Sequence, residues 1–88
     1  MASVLIRAGF RSDSGAKIRR VEAAAVERGI PTFLTETQNG RSALGFVITE
    51  VQGELGEVIR TGVSRLDLIL GESGVGAPEQ VEMAVSFG

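Results

Sequence analysis

Residues 31–50 read PTFLTETQNGRSALGFVITE, and this stretch decides the predicted fold. Two runs rich in β-branched and aromatic residues, 31–38 and 41–50, flank the dipeptide Asn39-Gly40, which suits the positive φ angles of a type I′ turn. Alternate residues of the second run are large and apolar, so one face of that strand is expected to lie on a core; they are Leu44, Phe46 and Ile48. The stretch therefore predicts a β-hairpin.

A strand and a helix are predicted before this hairpin. Even-numbered positions from Val4 to Phe10 are apolar, and a period of two is typical of a strand with one covered face. A helix is expected from about Ser14 to Gly29, because apolar residues recur there at spacings of three and four. Those residues are Ile18, Val21 and Ala25.

A second helix and two more strands are predicted after the hairpin. The helix is expected from about Gly53 to Gly62, with Leu55 and Val58 on its apolar side. Alternation then predicts two strands. The first contains Leu66, Leu68 and Leu70, and the second contains Val81, Met83, Val85 and Phe87.

The order of elements predicts a single ferredoxin-like α+β domain over residues 1–88: a βαββαβ sandwich with an additional C-terminal strand. Both helices are expected on one face of the antiparallel sheet, because consecutive βαβ-like units cross over with the same hand. The other face is predicted to carry Leu5, Val47 and Ile69. Apolar residues on an uncovered face, and the edges of an open sheet, favour self-association.

Composition limits the function. Nine Lys plus Arg against eleven Asp plus Glu, with no basic block, make nucleic acid a poor partner. The chain has no His and no Cys, which removes thiol and imidazole catalysis and the usual metal ligands, so no cofactor and no metal are expected and a non-enzymatic role is favoured. No apolar run approaches the length of a membrane span, so a soluble cytoplasmic protein is expected.

Two loops are candidate ligand sites. The first leads from the first strand into a helix N-terminus, where free N–H groups and the helix dipole attract anions; the alternative is ordinary helix capping. The second is the glycine-rich interval 71–79, longer than a usual hairpin loop; the alternative is a plain connector. The candidate ligand-binding residues are Arg11, Ser12, Ser14, Gly15, Lys17, Gly71, Ser73, Gly74 and Gly76. No catalytic residue is assigned.

The opening of the chain resembles ACT-type amino-acid-sensing domains, which share this order of elements. The likeness rests on residues 4–10, Gly15, Ile18 and Gly29-Ile30. In that family a glycine-containing turn after the first strand lines a small-ligand site at a subunit interface. The resemblance implies that Gly9 and Gly15 are the matching positions.

The later half resembles PII-type signal proteins, in which a Gly-Val turn leads into a strand and a glycine-containing loop. The matching residues are Gly62-Val63, Leu66, Leu68, Gly71, Gly74 and Gly76. Both likenesses imply a regulatory domain. The leading hypothesis is therefore a homo-oligomeric domain that binds a small anionic metabolite. The alternatives are a module that docks to another protein through its sheet face or edge strand, and an enzyme with carboxylate or substrate-assisted chemistry.

Overall fold

The computed structural model describes residues 1–10, 15–38, 40 and 42–88. Within them the chain forms β1 (Ala2–Gly9), α1 (Gly15–Glu27), β2 (Thr32–Glu36), β3 (Ser42–Val51), α2 (Leu55–Ser73) and β4 (Gln80–Phe87). The strands make one antiparallel sheet in the order β2-β3-β1-β4. This arrangement confirms the predicted ferredoxin-like α+β fold.

The predicted core of the central strands is confirmed. Val4, Ile6 and Ala8 of β1 are fully buried, and the residues paired with them on β3 are buried as well. Ile18, Val21 and Ala25 of α1 cover this face, as the helical spacing predicted. The alternating apolar residues of β1 and β3 and the apolar stripe of α1 therefore pack into the same hydrophobic core.

The hairpin of residues 31–50 is present, and its strands pair as far as Glu36 and Ser42. Residues 37–41 connect them, and the N–H of Gly40 donates to the carbonyl of Thr37 at 2.9 Å. Gly40 has a φ of +77°, a conformation that glycine adopts at no steric cost. The predicted type I′ turn involves Asn39, which lies outside the described residues.

A β-bulge near the end of β3 extends the buried face. The pairing with β1 shifts by one residue between Val4↔Ile48 and Ala2↔Val51, and Glu50 has a φ of +58°. The extra residue lets both Ile48 and Val51 face the core, although they are three positions apart.

The predicted end of the second helix is wrong, and so is the strand predicted over residues 66–70. Helix α2 continues to Ser73, and Gly74 then caps it in the left-handed conformation with its N–H donating to the carbonyl of Leu70 at 3.1 Å. Leu66, Ile69 and Leu70 are buried at helical spacing, whereas Leu68 is 44% exposed. A run of alternating leucines thus fits a helix that buries positions i, i+3 and i+4.

Gly62 lies inside α2 because of packing and does not end the helix. A Cβ at this position would lie 3.2 Å from both the Val4 Cγ1 and the Met83 Cε atoms. The glycine lets α2 approach the sheet closely. Ile69 belongs to the same packed side of the helix and is 1% exposed, so its predicted place on the uncovered sheet face is wrong.

The predicted C-terminal strand is confirmed as β4, which pairs with β1 along its whole length. Met83 and Val85 pack partly against the core, whereas Val81 and Phe87 are exposed. Because Gly71, Glu72 and Ser73 belong to α2, the connection before β4 is residues 74–79, shorter than the predicted 71–79.

Candidate functional site

Three connections lie at one end of the sheet. The last residue of β1, Gly9, pairs with Ala43 at the start of β3 and with Gln80 at the start of β4. The N–H of Phe10 donates to the carbonyl of Ser42 at 3.1 Å, and the N–H of Glu79 donates to the carbonyl of Gly9 at 3.0 Å. The two loops predicted as ligand sites therefore leave the sheet next to each other, beside the hairpin connection.

Gly9 has a structural role at this end. A Cβ there would lie 2.8 Å from Cγ2 of Thr37 and 3.6 Å from Cβ of Gln80. Thr37 is buried, so any side chain at position 9 would displace the hairpin connection. The glycine matched to the ACT-type turn is thus required by packing, independently of a ligand.

A cleft opens between α1 and the β2 side of the sheet, which we term the α1–β2 cleft. Its volume is about 360 Å³. Helix α1 contributes Gly15, Ile18, Arg19 and Glu22, and the sheet contributes Leu34, Thr35, Ser42 and Ala43. The cleft thus combines one cation, one carboxylate and two hydroxyl-bearing residues with apolar walls. Leu34 is 73% exposed, which leaves an apolar surface open to an occupant.

A second depression, the interhelical groove, lies between the two helices. It is lined by Arg20, Ala23, Ala24, Glu27, Glu72 and Ser73, with a volume of about 350 Å³. Arg28, directly after α1, binds Glu72 of α2 through two hydrogen bonds; the one from Nε to Oε2 measures 3.0 Å. This hydrogen bonding lowers the pKa of the Glu72 carboxyl and raises the pKa of the Arg28 guanidinium, and the opposite charge of the partner shifts each pKa in the same direction.

The structure separates the predicted ligand-binding residues. Gly15 borders the α1–β2 cleft, and Ser73 borders the interhelical groove; α1 lies between these two spaces. The Ser73 hydroxyl donates to the Leu70 carbonyl at 2.9 Å, so its proton is already engaged within α2. Arg11, Ser12 and Ser14 lie outside the described residues.

The remaining candidates are exposed. Lys17 lies on α1, and Gly71 lies near the end of α2, where an added Cβ would have no atom within 4 Å. Gly74 caps α2, and a Cβ on it would lie 3.2 Å from Nη2 of Arg20, which lines the interhelical groove. Gly76 has a φ of +80° in the connection to β4. The ligand roles of these residues remain predictions.

An ion pair crosses the uncovered face of the sheet. Arg7 and Glu82 are paired across β1 and β4, with 3.4 Å between Nε and Oε1. The other carboxylate oxygen of Glu82 accepts the N–H of Gln38 at 3.3 Å and the amide of Gln80 at 3.4 Å. Glu82 thereby ties the hairpin connection to β4, a structural role that its position in an alternating strand did not reveal.

The described residues contain no group of three or more Asp or Glu side chains placed to hold a metal ion. The carboxylate of Glu57 has a capping role: its Oε1 accepts the N–H of Glu54 at 3.2 Å at the start of α2. Among the described helices, none is both long enough and apolar enough to cross a membrane.

Sequence reasoning missed Arg19, Glu22, Leu34 and Ser42 as members of one cleft. They come from α1, β2 and β3, and only the pairing of the strands beneath α1 brings them together. A local signal was the adjacent pair Phe33-Leu34, because neighbouring residues of a strand point to opposite faces and only one face was expected to be covered.

No protein-family model matches the chain, and no curated protein matches it. Among solved structures, it is similar to acylphosphatase from Bacillus subtilis, with a TM-score of 0.52 and 14% identity, over 100% of this chain and 88% of that one. It is also similar to LarC2, the C-terminal domain of a cyclometallase involved in the synthesis of the NPN cofactor of lactate racemase, in the apo form. That match has a TM-score of 0.51 and 19% identity, over 98% of this chain and 55% of LarC2, so the chain spans about half the length of LarC2. Both likenesses show the ferredoxin-like fold alone.

Proposed function

We propose that the chain is a non-enzymatic regulatory domain that binds a small anionic metabolite in the α1–β2 cleft and works as a homo-oligomer. The observation that carries the proposal is the cleft itself. Its volume of about 360 Å³ falls within the range of small-molecule sites. It also combines apolar side chains with four polar ones, and polar groups in such a site fix the orientation of a ligand.

The charges of the cleft favour an anionic group on the ligand. Arg19 presents a planar, permanently charged donor that suits a carboxylate or phosphate. Gly15 begins α1, and the first turn of a helix carries the positive end of the helix dipole. Glu22, one turn from Ile18 on the same side of α1, would accept a donor group from the ligand. The metabolite is therefore a small molecule with an anionic group and, beside it, a hydrogen-bond donor.

Binding can be tested by thermal unfolding with a panel of amino acids and nucleotides, followed by titration calorimetry of any compound that raises the Tm. A ligand present at 100 times its Kd stabilises the folded state by about 2.7 kcal/mol. For a domain of this size that corresponds to a Tm increase of about 10 °C or more.

The Arg19→Gln variant locates the site. Removing a charge-assisted hydrogen bond of about 1.5–3 kcal/mol should weaken binding by roughly 10- to 100-fold. Arg65→Gln, a change of the same kind on an exposed position of α2, is the matched control and should leave the Kd unchanged. Either a panel that produces no Tm increase or equal Kd values for the two variants would contradict the proposal.

A further inference from the structure

Strand β4 has an unpaired edge in the described sheet, and its hydrogen-bonding groups can be assigned from the neighbouring strand. The N–H of Gly88 donates to the carbonyl of Met1 at 3.2 Å, and antiparallel partners alternate between bonded and non-bonded pairs. The even-numbered residues of β4 therefore bond to β1. The odd-numbered residues point their N–H and C=O groups away from the sheet: Val81, Met83, Val85 and Phe87.

This edge lacks the features that keep edge strands unpaired. Edge strands are usually short, or carry proline, lysine or a bulge. The opposite edge strand, β2, has five residues and directly follows Pro31. By contrast, β4 has eight residues without proline, lysine or arginine, and its one charged side chain, Glu82, is already paired with Arg7 on the uncovered face.

The side chains beside this edge are apolar and exposed. Val81 is 45% and Phe87 is 56% exposed, and both lie on the side of the sheet that carries the helices. Helix α2 contributes an exposed apolar stripe at positions i, i+4 and i+8, formed by Leu55, Ile59 and Val63.

The stripe faces away from α1. Val63 and Glu72 are nine residues apart, which is two and a half helical turns, so they lie on opposite sides of α2. Glu72 is the residue that reaches Arg28 at the end of α1. The stripe therefore borders the β4 side of the molecule and continues the apolar surface of Val81 and Phe87.

We infer that β4 pairs antiparallel with β4 of a second copy of this chain, about a two-fold axis at Ala84, to form a continuous eight-stranded sheet. In this register Val81 lies opposite Phe87 of the second copy and Met83 lies opposite Val85. All the outward N–H and C=O groups of these residues then find partners, in roughly eight hydrogen bonds. The inference deepens the homo-oligomeric part of the proposed function.

The pairing of all four outward residues selects this register over its neighbours. An axis at Met83 would leave Phe87, and an axis at Val85 would leave Val81, without a partner among these four residues. A two-fold axis at Glu82 would place the two Glu82 carboxylates directly opposite each other, which is destabilising, and would leave Phe87 unpaired. An axis at Ser86 would pair only the last residues of the strand. With the axis at Ala84, Glu82 faces Ser86 of the second copy, and every outward residue has an apolar partner.

The surface is large enough for a specific dimer. The exposed parts of the α2 stripe, Val81 and Phe87, together with the edge of β4, amount to on the order of 500 Å² per copy. Two copies would bury about 1,000 Å², the lower limit for a specific interface. A second copy of the chain can thus cover this edge with enough buried area for a specific dimer.

A cysteine placed on the axis tests the register directly, because the chain has no cysteine of its own. Ala84→Cys puts two thiols on a non-hydrogen-bonded pair, with Cα atoms about 4.5 Å apart, within disulfide range. Mild oxidation should convert it to a covalent dimer of twice 9.2 kDa, measured by mass spectrometry without reductant. Ser86→Cys, on the same face but opposite Glu82, is the matched control and should crosslink at least tenfold more slowly. Equal crosslinking of the two variants, or none, would overturn the inference.

Sedimentation equilibrium over a concentration series gives an independent test. The unmodified chain should show a monomer–dimer equilibrium, and the double variant Val81→Lys/Phe87→Lys should raise the dimer Kd by about 100-fold or more, since it places like charges opposite each other in both outer pairs. Leu34→Lys, on the β2 edge, is the control and should leave the Kd unchanged. A chain that is monomeric throughout, or a double variant that dimerises normally, would refute the pairing. The double variant should bind the ligand of the α1–β2 cleft normally. A failure of the dimer inference can therefore be distinguished from a failure of the proposed ligand binding.

Discussion

Two glycines near the end of α2 should respond oppositely to the same substitution. Gly71 lies within the helix, is exposed, and would have no atom within 4 Å of an added Cβ. Gly76 is equally uncrowded but has a φ of +80°. An alanine at position 71 gains helix propensity and reduces the entropy of the unfolded chain, whereas an alanine at position 76 must adopt a left-handed backbone.

The expected changes in the free energy of unfolding follow from these backbone conformations. Gly71→Ala should raise the free energy of unfolding by about 0.5–1 kcal/mol. Gly76→Ala should lower it by about 1–2 kcal/mol. In a domain of this size each kcal/mol moves the Tm by about 4–8 °C, so the two variants should differ from each other by at least about 6 °C.

Urea unfolding followed by circular dichroism measures both changes, and an unchanged m-value for the two variants would show that the compactness of the denatured state is the same in both. The comparison tests the extent of α2, because a strand and loop over residues 66–73 would give position 71 no helical preference. If Gly71→Ala destabilises the protein, or if both variants shift the midpoint equally, the assignment of residues 66–73 to α2 is refuted.

Two further predictions concern single residues. Glu50 holds a φ of +58° at the β3 bulge, so Glu50→Gly should relieve backbone strain and stabilise the protein by about 1 kcal/mol, measured by urea unfolding; a loss of stability would contradict the strain argument. Because Arg28 lowers the pKa of Glu72 in the folded state, the contribution of this carboxylate is present above its ordinary value of 4.5 and is lost as the pH falls through the lowered pKa. Glu72→Gln should therefore reduce the Tm slightly near neutral pH and not at strongly acidic pH, and a difference that persists in acid would rule out this linkage.

Most of the fold could be predicted from residue spacing, because β1, α1, β3 and β4 each show a single hydrophobic period. In β1 and β3 the alternation has one interpretation, and the buried side chains confirm it. In α2 the run of Leu66, Leu68 and Leu70 satisfies a period of two, while Leu66, Ile69 and Leu70 satisfy helical spacing. Only the packing partners decide between the two, since a short apolar run fits either structure.

Gly62 also shows where prediction from local residue spacing fails. A glycine near the end of an apolar stripe is a common signal for the end of a helix. Here its lack of a side chain admits Val4 and Met83, which are 58 and 21 residues away in the sequence. No local pattern distinguishes a glycine that ends a helix from one that allows close packing, so spacing alone predicts a second helix that is too short.

The candidate cleft was harder to predict than the fold because its groups are individually ordinary. Arg19 and Glu22 occur on the polar side of an amphipathic helix, where solvent exposure is the usual reason for charge. Their relation to Leu34 and Ser42 depends on which strand lies under α1 and on the register of β2 with β3. Sequence reasoning instead favoured glycine-bearing loops, whose composition is visible locally.

The fold itself does not choose among the possible functions. An acylphosphatase and a domain of a cyclometallase share this arrangement with the chain at 14% and 19% identity, and the names of these two proteins describe different roles. Function must therefore be inferred from the particular side chains of this chain. Two candidate surfaces lie on opposite edges of the sheet: the cleft with Arg19 beside β2, and the long edge of β4 that is unpaired in the described sheet. Because β3 and β1 separate these edges, a substitution at one can be used to test it without removing the other.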